Sequence, residues 1–273
     1  MGTEERNGGE MGTKWGRNGD GAPFGPEFSL CSDPMRLSRY QILSEATGNV
    51  HVFWRCHDRK HLLDQAGAKK LFFQSLVIGL QHRGSDDSVK LHAFCLMDNH
   101  VHQQMSYSKG VTKLSHVMRV AHGIFGQRFN KKFNRSGKVA NERPKTPLVG
   151  GLEAEMRVHF YIEANPIRAG MTTLQKLRFF FWSSYRFYGH GIVDEPTKHL
   201  TPPQWYLDLG KTPAERQRAY RELFRKYLEQ TSVSWGQFLD RFIGSPLWIW
   251  EKQIALKKQI FARTEASARA SPA

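Results

Sequence analysis

The sequence predicts an α+β fold: a ferredoxin-like split-βαβ domain with an antiparallel sheet, followed by a helical C-terminal extension. Three observations predict it. Strand-type and helix-type patterning alternates in the order β-α-β-β-α-β between about residues 51 and 140, which is the split-βαβ order. The two central strands are joined by a tight turn. From residue 212 onward the apolar period is helical.

Each element has its own signal. Residues 51–56, HVFWRC, are aromatic and β-branched, as strands prefer. Residues 62–82 read as a helix, with Ala68, Leu71, Phe72, Leu76 and Leu80 recurring at three and four. RGSDDS is a loop by composition. Residues 89–97, VKLHAFCLM, alternate through Leu91, Ala93, Cys95 and Met97. Asp98-Asn99 then turns the chain, and HVHQQMSY returns as the next strand. Residues 112–133 form a second helix whose stripe is Leu114, Val117, Met118, Ala121, Phe125 and Phe129. A short strand is expected near 138–140. A third helix covers 153–164 and ends at Asn165-Pro166, because proline biases its predecessor away from helix.

Beyond Gly170 comes the dense aromatic stretch FFFWSSYRFYGH, then a break at Pro202-Pro203. Residues 212–229 and 234–261 read as helices. The first opens on a Thr212 cap with Pro213 in its first turn, and carries a basic face of Arg216, Arg218, Arg221, Arg225 and Lys226. The resulting division is 1–35 disordered, 36–190 as the α+β domain and 191–273 as the helical extension. Residues 1–27 have almost no apolar pattern with which to offset their ordering entropy.

The chain has 273 residues and a net charge of +15. Nucleic acid is the commonest reason for such an excess, since Lys and Arg displace counterions from phosphate. An anionic membrane surface is the alternative, but no apolar run approaches the ~18–20 residues of a spanning helix. Glu4, Glu5 and several glycines stand where a secretory signal would carry an apolar core. The cysteines, Cys31, Cys56 and Cys95, are odd in number and widely spaced, which gives neither a disulfide framework nor a thiolate zinc site. A reducing cytoplasm is the expected compartment.

Three groups of residues can carry chemistry. His100 and His102 lie two apart on a strand, so both imidazoles share a face and can reach one ion; alone, such a pair is more often two surface histidines on a strand edge. Tyr161 and Asn165 are four apart on a helix. Tyrosine is a nucleophile when assisted, and a metal can assist it at a phosphate; an isolated pair of this kind is otherwise a core tyrosine beside a capping asparagine. Arg119, Arg128, Lys131, Lys132, Arg135, Lys138, Arg143 and Lys145, interleaved with Phe129 and Phe133, make a basic-aromatic surface of the type that binds single strands, or a solvated helix face over a core stripe.

In order, CLMDNHVH, then Gly137-Lys138-Val139, YIEANPIRAG and WSSYRFY resemble the REP-associated tyrosine transposases, single-tyrosine His-hydrophobe-His enzymes related to the smallest insertion-sequence transposases. The resemblance spans about residues 36–190. It implies that His100 and His102 hold Mg²⁺ or Mn²⁺ with Asn165 as a third ligand. It implies that Tyr161 attacks a DNA phosphate to give a 5′-phosphotyrosine and a free 3′-OH, and that the substrate is single-stranded or hairpin DNA bound by the cationic residues above. The chain departs from the family at Asp98, where proline is usual, at Gln103-Gln104, where apolar residues are usual, and in VANERPKTPL, which lacks an aromatic near its arginine. Two other readings share the basic surface: a domesticated hairpin-DNA binder that no longer cleaves, and an RNA-binding ferredoxin-like module, which would place aromatics on the central strands. The DNA target sequence and the oligomeric state are not readable from the chain.

Overall fold

Five strands in the order β2-β3-β1-β4-β5 organise the molecule. They are β1 (Gly48–Arg55), β2 (Val89–Leu96), β3 (His100–Tyr107), β4 (Leu148–Val149) and β5 (Phe242–Ile243). The helices are α1 (Ala68–Gln81), α2 (Val111–Lys132), α3 (Leu152–Arg168), α4 (Tyr185–His190), α5 (Gln204–Leu207), α6 (Pro213–Gln230) and α7 (Pro246–Ala270). The computed structural model describes residues 45–230 and 241–270. The expected disorder over 1–35 lies outside those residues, as does the part of the expected helix at 234–240.

β3 pairs antiparallel with both β1 and β2, and β4 pairs antiparallel with β1. This is the split-βαβ arrangement, α+β as expected. α1 and α2 cover one face of the sheet over a core of Val52, Trp54, Leu76, Val101, Phe125 and Phe129. α3 covers the other face over Cys95, Val158, Ile162 and the aromatic residues of α4 to α6. Close approach of α1 to α2 depends on Gly79, where a Cβ would lie 2.8 Å from the Val117 carbonyl oxygen.

Several boundaries differ from the sequence reading, each for a local reason. α1 begins at Ala68 and not at residue 62, because Gly67 adopts φ +81; the residues before it form a separate 3-10 turn, Leu62–Asp64. The strand expected at 138–140 reduces to one bridge, Cys56 to Ala140, and regular pairing with β1 comes later, at β4. α3 runs through Pro166 to Arg168. Proline cannot donate to the Ile162 carbonyl four residues back; the Asn165 side-chain amide donates to it instead, at 3.1 Å, and to Tyr161 O at 2.9 Å. Phe242–Ile243, expected as helix, is the fifth strand, parallel to β4.

The alternation expected along β2 also breaks. The register shifts between Leu91 and Ala93, so His92 is an extra residue in the ladder. Leu91 therefore faces α1 and α2, whereas Ala93, Cys95 and Met97 face α3. His92 itself is buried between Thr201 O, 2.7 Å from its Nδ1, and Ser106 Oγ, 2.7 Å from its Nε2. A carbonyl only accepts, so Nδ1 donates and Nε2 accepts from the serine; the ring is neutral.

Burial holds the His92 pKa down to about 4. The unfolded chain binds a proton here below about 6.5 and the folded chain does not until about 4. Stability contributed by the neutral ring is thus present above about pH 6.5 and lost as pH falls, by about 3 kcal/mol at pH 4. Urea unfolding between pH 7 and 4 should show this loss, and His92→Asn should flatten it. An unchanged slope in the variant would remove His92 as its source.

The C-terminal extension is tied to this frame at several points. Thr201 N donates to Leu91 O at 2.8 Å, and Gly150 N to Ile243 O at 2.8 Å. α6 opens as the sequence predicts: Glu215 N donates to Thr212 Oγ1, and Glu215 Oε2 accepts from Thr212 N and Lys211 N, a reciprocal capping box.

Candidate functional site

Along β3, His100, His102 and Gln104 point to the α3 face, and along β1 the alternating His51, Phe53 and Arg55 point the same way. The register sets Phe53 opposite His102 and Arg55 opposite His100. The two candidate ligands share a face as their spacing predicts, with ring centroids 5.0 Å apart. Tyr161, on α3, lies above them: its ring is 5.5 Å from His102 and 5.7 Å from His51, edge-on to both. The structure thus brings together His100, His102 and Tyr161 from two elements far apart in sequence.

The second nitrogen of each histidine is engaged. His100 Nδ1 is 2.6 Å from Asn99 Oδ1. An amide oxygen accepts, so His100 carries its proton on Nδ1 and leaves Nε2 as a lone pair. His102 Nδ1 is 2.8 Å from His51 Nε2. Donation from His102 to His51 gives the same tautomer and the same open Nε2. Metal-binding imidazoles are commonly oriented by such second bonds. Burial, then the Arg55 charge, lowers His100 to about 4. Burial, then His51, His100 and Arg55, holds His102 well below its usual value. Both rings are neutral at pH 7, the form that ligates.

Asn165 presents a less obvious ligand. Its Nδ2 is spent on the backbone of α3, as described above, so Oδ1 is the end left for another partner. Together with the two imidazole nitrogens it would make a donor set of two nitrogens and one amide oxygen. Among the described residues no cluster of three or more His, Cys, Asp or Glu side chains could hold a metal ion. Such a set fits a divalent ion that completes its coordination with water and phosphate oxygens, as Mg²⁺ commonly does.

Tyr161 is only 3% exposed. Burial raises its pKa to about 12, opposed by Arg168. The Arg168 guanidinium sits 5.2 Å from the Tyr161 ring and 5.3 Å from that of Tyr227 on α6, and Arg168 Nη2 donates to Tyr227 Oη at 2.8 Å. The cation beside the tyrosine is therefore held by the extension.

The cationic residues divide. α2 lies on the sheet face opposite the histidines, so Arg119, Arg128, Lys131 and Lys132 are not lining groups of this site. Arg119 Nη2 is 3.0 Å from His116 Nδ1, Lys132 donates to Ala66 O at 2.8 Å, and Arg135 stacks over Phe129 at 5.5 Å. Residues 139–147 instead run along the open edge of β1, with hydrogen bonds at His57, Arg55, Phe53 and His51. This places the segment holding Lys138 and Arg143 beside the histidine strand pair. Lys145 Nζ lies 5.9 Å over Phe53, which stacks on His102.

Sequence reasoning missed His51, Arg55 and Arg168. The first two follow from HVFWR once its register against HVHQQ is known, and register is not written in either strand alone. The departures also find partners. Asp98 binds Lys69 of α1 at 2.6 Å and accepts Leu63 N through its carbonyl. Gln104 Oε1 accepts from His159 Nδ1 at 3.0 Å, and its Nε2 donates to Glu155 O at 3.1 Å. Nothing in the structure explains Gln103.

The split-βαβ sheet thus carries two neutral imidazoles under a helical tyrosine. Residues 45–143 match the family described as "Transposase IS200 like". The match bears out the family expected from the motifs; it stops short of Tyr161. Among solved structures, that of a REP-associated tyrosine transposase bound to a REP hairpin is similar over 54% of this chain and 82% of that one, at 14% identity and a TM-score of 0.42. The comparison with curated proteins gives no match. Among the described residues no helix is long and apolar enough to cross a membrane.

Proposed function

We propose that the protein cleaves and rejoins single-stranded or hairpin DNA through a 5′-phosphotyrosine on Tyr161, with residues 36–190 as the strand-transfer unit and 191–273 as its extension. The observation that carries this reading is the placement of Tyr161 within ring contact of His102, with His100 beside it. The match of residues 45–143 to the IS200-like transposase family and the net charge of +15 support the choice of DNA.

In the proposed step, Tyr161 Oη bonds to phosphorus, the P–O3′ bond breaks, the 3′ oxygen takes up a proton and the phenolic proton passes to solvent. The phosphotyrosine keeps the energy of the phosphodiester, so the reverse attack by a 3′-OH needs no ATP. His100, His102 and Asn165 would hold Mg²⁺ or Mn²⁺, which when bound neutralises charge developing on the phosphate. His51 and Asn99 orient the two imidazoles. Arg55, Lys138 and Arg143 meet the backbone near the cut. Arg119, Arg128, Lys131, Lys132 and Arg135, across the sheet, would contact DNA away from it.

A specific observation favours a second reading, a hairpin binder that does not cleave: Tyr161 is almost wholly covered and its pKa is raised to about 12. Chelation separates the two. The enzyme loses cleavage in EDTA and in His102→Ala, while hairpin binding stays within about threefold, because phosphate contacts by Lys and Arg need no ion. Cleavage that survives in His102→Ala removes the metal site from the proposal. Affinity should also fall steeply between 50 and 200 mM salt, by about tenfold or more for several neutralised phosphates. A flat salt response in a filter-binding assay would argue against DNA as the ligand.

A further inference from the structure

On the sheet face away from Tyr161, a cleft of about 480 Å³ opens between α1, α2 and the segment that follows α3. Lys70, Phe73, Arg128, Phe181, Trp182 and Glu195 line it. We propose that this cleft is a second DNA contact that takes an unpaired base of the bound strand, stacked on Phe181 with the perpendicular Trp182 ring edge-on beside it, and with Lys70 and Arg128 meeting its phosphates. The proposal rests on the reading of the protein as a DNA enzyme and adds to it a site for single-stranded flanks.

Phe181 and Phe179 stand at the surface rather than in the core. Phe181 is 41% exposed and its neighbour Phe179 is 68% exposed. Each already carries a guanidinium: Arg186 lies 4.9 Å over Phe181 and Arg178 lies 4.5 Å over Phe179. Aromatic faces interleaved with cations are the usual parts of a single-strand site. The cleft volume falls in the range of ~300–1,000 Å³ typical of small-molecule pockets.

The platform is also fixed. Leu96 N donates to Trp182 O at 3.0 Å, Ser183 bridges to Cys95, and Ser184 N donates to Phe94 O at 3.0 Å, so the segment caps the free edge of β2. Trp182 packs against Phe73 of α1, ring centroids 6.3 Å apart. A base that stacks here meets a surface already ordered, which lowers the entropic cost of binding.

Charge favours a nucleotide over an apolar peptide. Among the described residues neither Lys70 nor Arg128 lies within ion-pair distance of a carboxylate, so both are available to phosphate. The one carboxylate in the cleft, Glu195, is held by Lys198 at 2.7 Å. It offers an acceptor to an exocyclic base amine, a pairing that carboxylates make with cytosine.

The test uses the full chain as Tyr161→Phe, so that binding is read without cleavage, and two fluorescent hairpins: one blunt, and one with a single-stranded oligodeoxycytidine tail. The tail should raise affinity. Adding Phe181→Ala should lower affinity for the tailed hairpin about tenfold and leave the blunt hairpin within about twofold, and Phe181→Trp should restore it. A photoreactive base in the tail should cross-link to the peptide holding Phe181 and Trp182. Equal affinity for both hairpins, or a Phe181→Ala protein that binds the tailed one as its parent does, overturns the cleft as a base site while the DNA reading stands. Failure of the parent to bind either hairpin overturns both.

Discussion

The Tyr161→Phe protein should form no SDS-resistant adduct with a suicide hairpin substrate under conditions in which the unaltered protein does. The change removes one oxygen. If Tyr161 were only a core residue, the cost would be about 1 kcal/mol of stability, and activity would stay near normal. If it is the nucleophile, the covalent route closes, since the two imidazoles nearest its ring lie in the proposed metal centre or support it, and neither can stand in for the phenolate at that position. Binding of the hairpin should be unaffected. Tyr185 and Tyr188 are the nearest rivals along the chain. Both are buried in the aromatic cluster with Tyr220, and the Tyr188 hydroxyl already donates to His92 O at 2.5 Å. An adduct that persists in Tyr161→Phe and maps by mass spectrometry to either of them would sink the assignment. Failure of the unaltered protein to form an adduct with any hairpin, in Mg²⁺ or Mn²⁺, would leave the binder reading in its place.

The largest stability effect should come from Glu163, which lies between Tyr161 and Asn165 on α3 and is wholly buried. Its carboxyl group accepts from Ser184 Oγ at 2.5 Å and from the Tyr220 hydroxyl, and lies 3.5 Å from His159 Nε2. His159 continues the chain to Gln104 on β3. This polar network joins the site helix, the central strand, the 183–184 segment and α6. Glu163→Ala strips the acceptor from the Ser184 and Tyr220 hydroxyls and leaves a void, at a cost of about 3–5 kcal/mol. Tyr220→Phe removes a single donor and should cost about 1–3 kcal/mol. Urea denaturation measures both. A Glu163→Ala midpoint close to that of the unaltered protein would show that the network is not what binds the extension to the domain.

The legible parts of this protein were those whose signals are local. The HVHQQMSY strand, the Asp98-Asn99 turn, the stripe of α2 and the Thr212-Pro213-Ala214-Glu215 cap all follow from period, turn chemistry or capping, and the structure places each where the sequence does. Tertiary pairing hid the remainder. The ladder shift at His92 depends on β3, so nothing in VKLHAFCLM reveals that Leu91 and Ala93 face opposite sides. Phe242–Ile243 is a strand because β4 offers it an edge, although its neighbours favour helix. Asn165-Pro166 read as a helix end because proline breaks a backbone bond, and the asparagine side chain replaces that bond. In the candidate site, strand spacing put His100 and His102 on one face and helix spacing put Asn165 one turn from Tyr161, their roles coming only from the family resemblance, whereas His51, Arg55 and Arg168 required register and helix packing.

The parallel pairing of β4 with β5 has a consequence for biosynthesis. Leu148 and Val149 lie on the outer side of β1 and gain their second neighbour only from Phe242 and Ile243, nearly a hundred residues later. A ribosome adds roughly 5–20 residues per second, so for several seconds the growing chain presents an open sheet edge next to the histidine strands. Open edges invite pairing with other chains. Long-range parallel closure is also among the slowest folding events, because the intervening loop must be ordered first. A chain that ends near residue 190 would keep the sheet face with both histidines and Tyr161 yet never close that edge. Such a fragment is expected to self-associate on gel filtration, even though every residue of the candidate site is present in it.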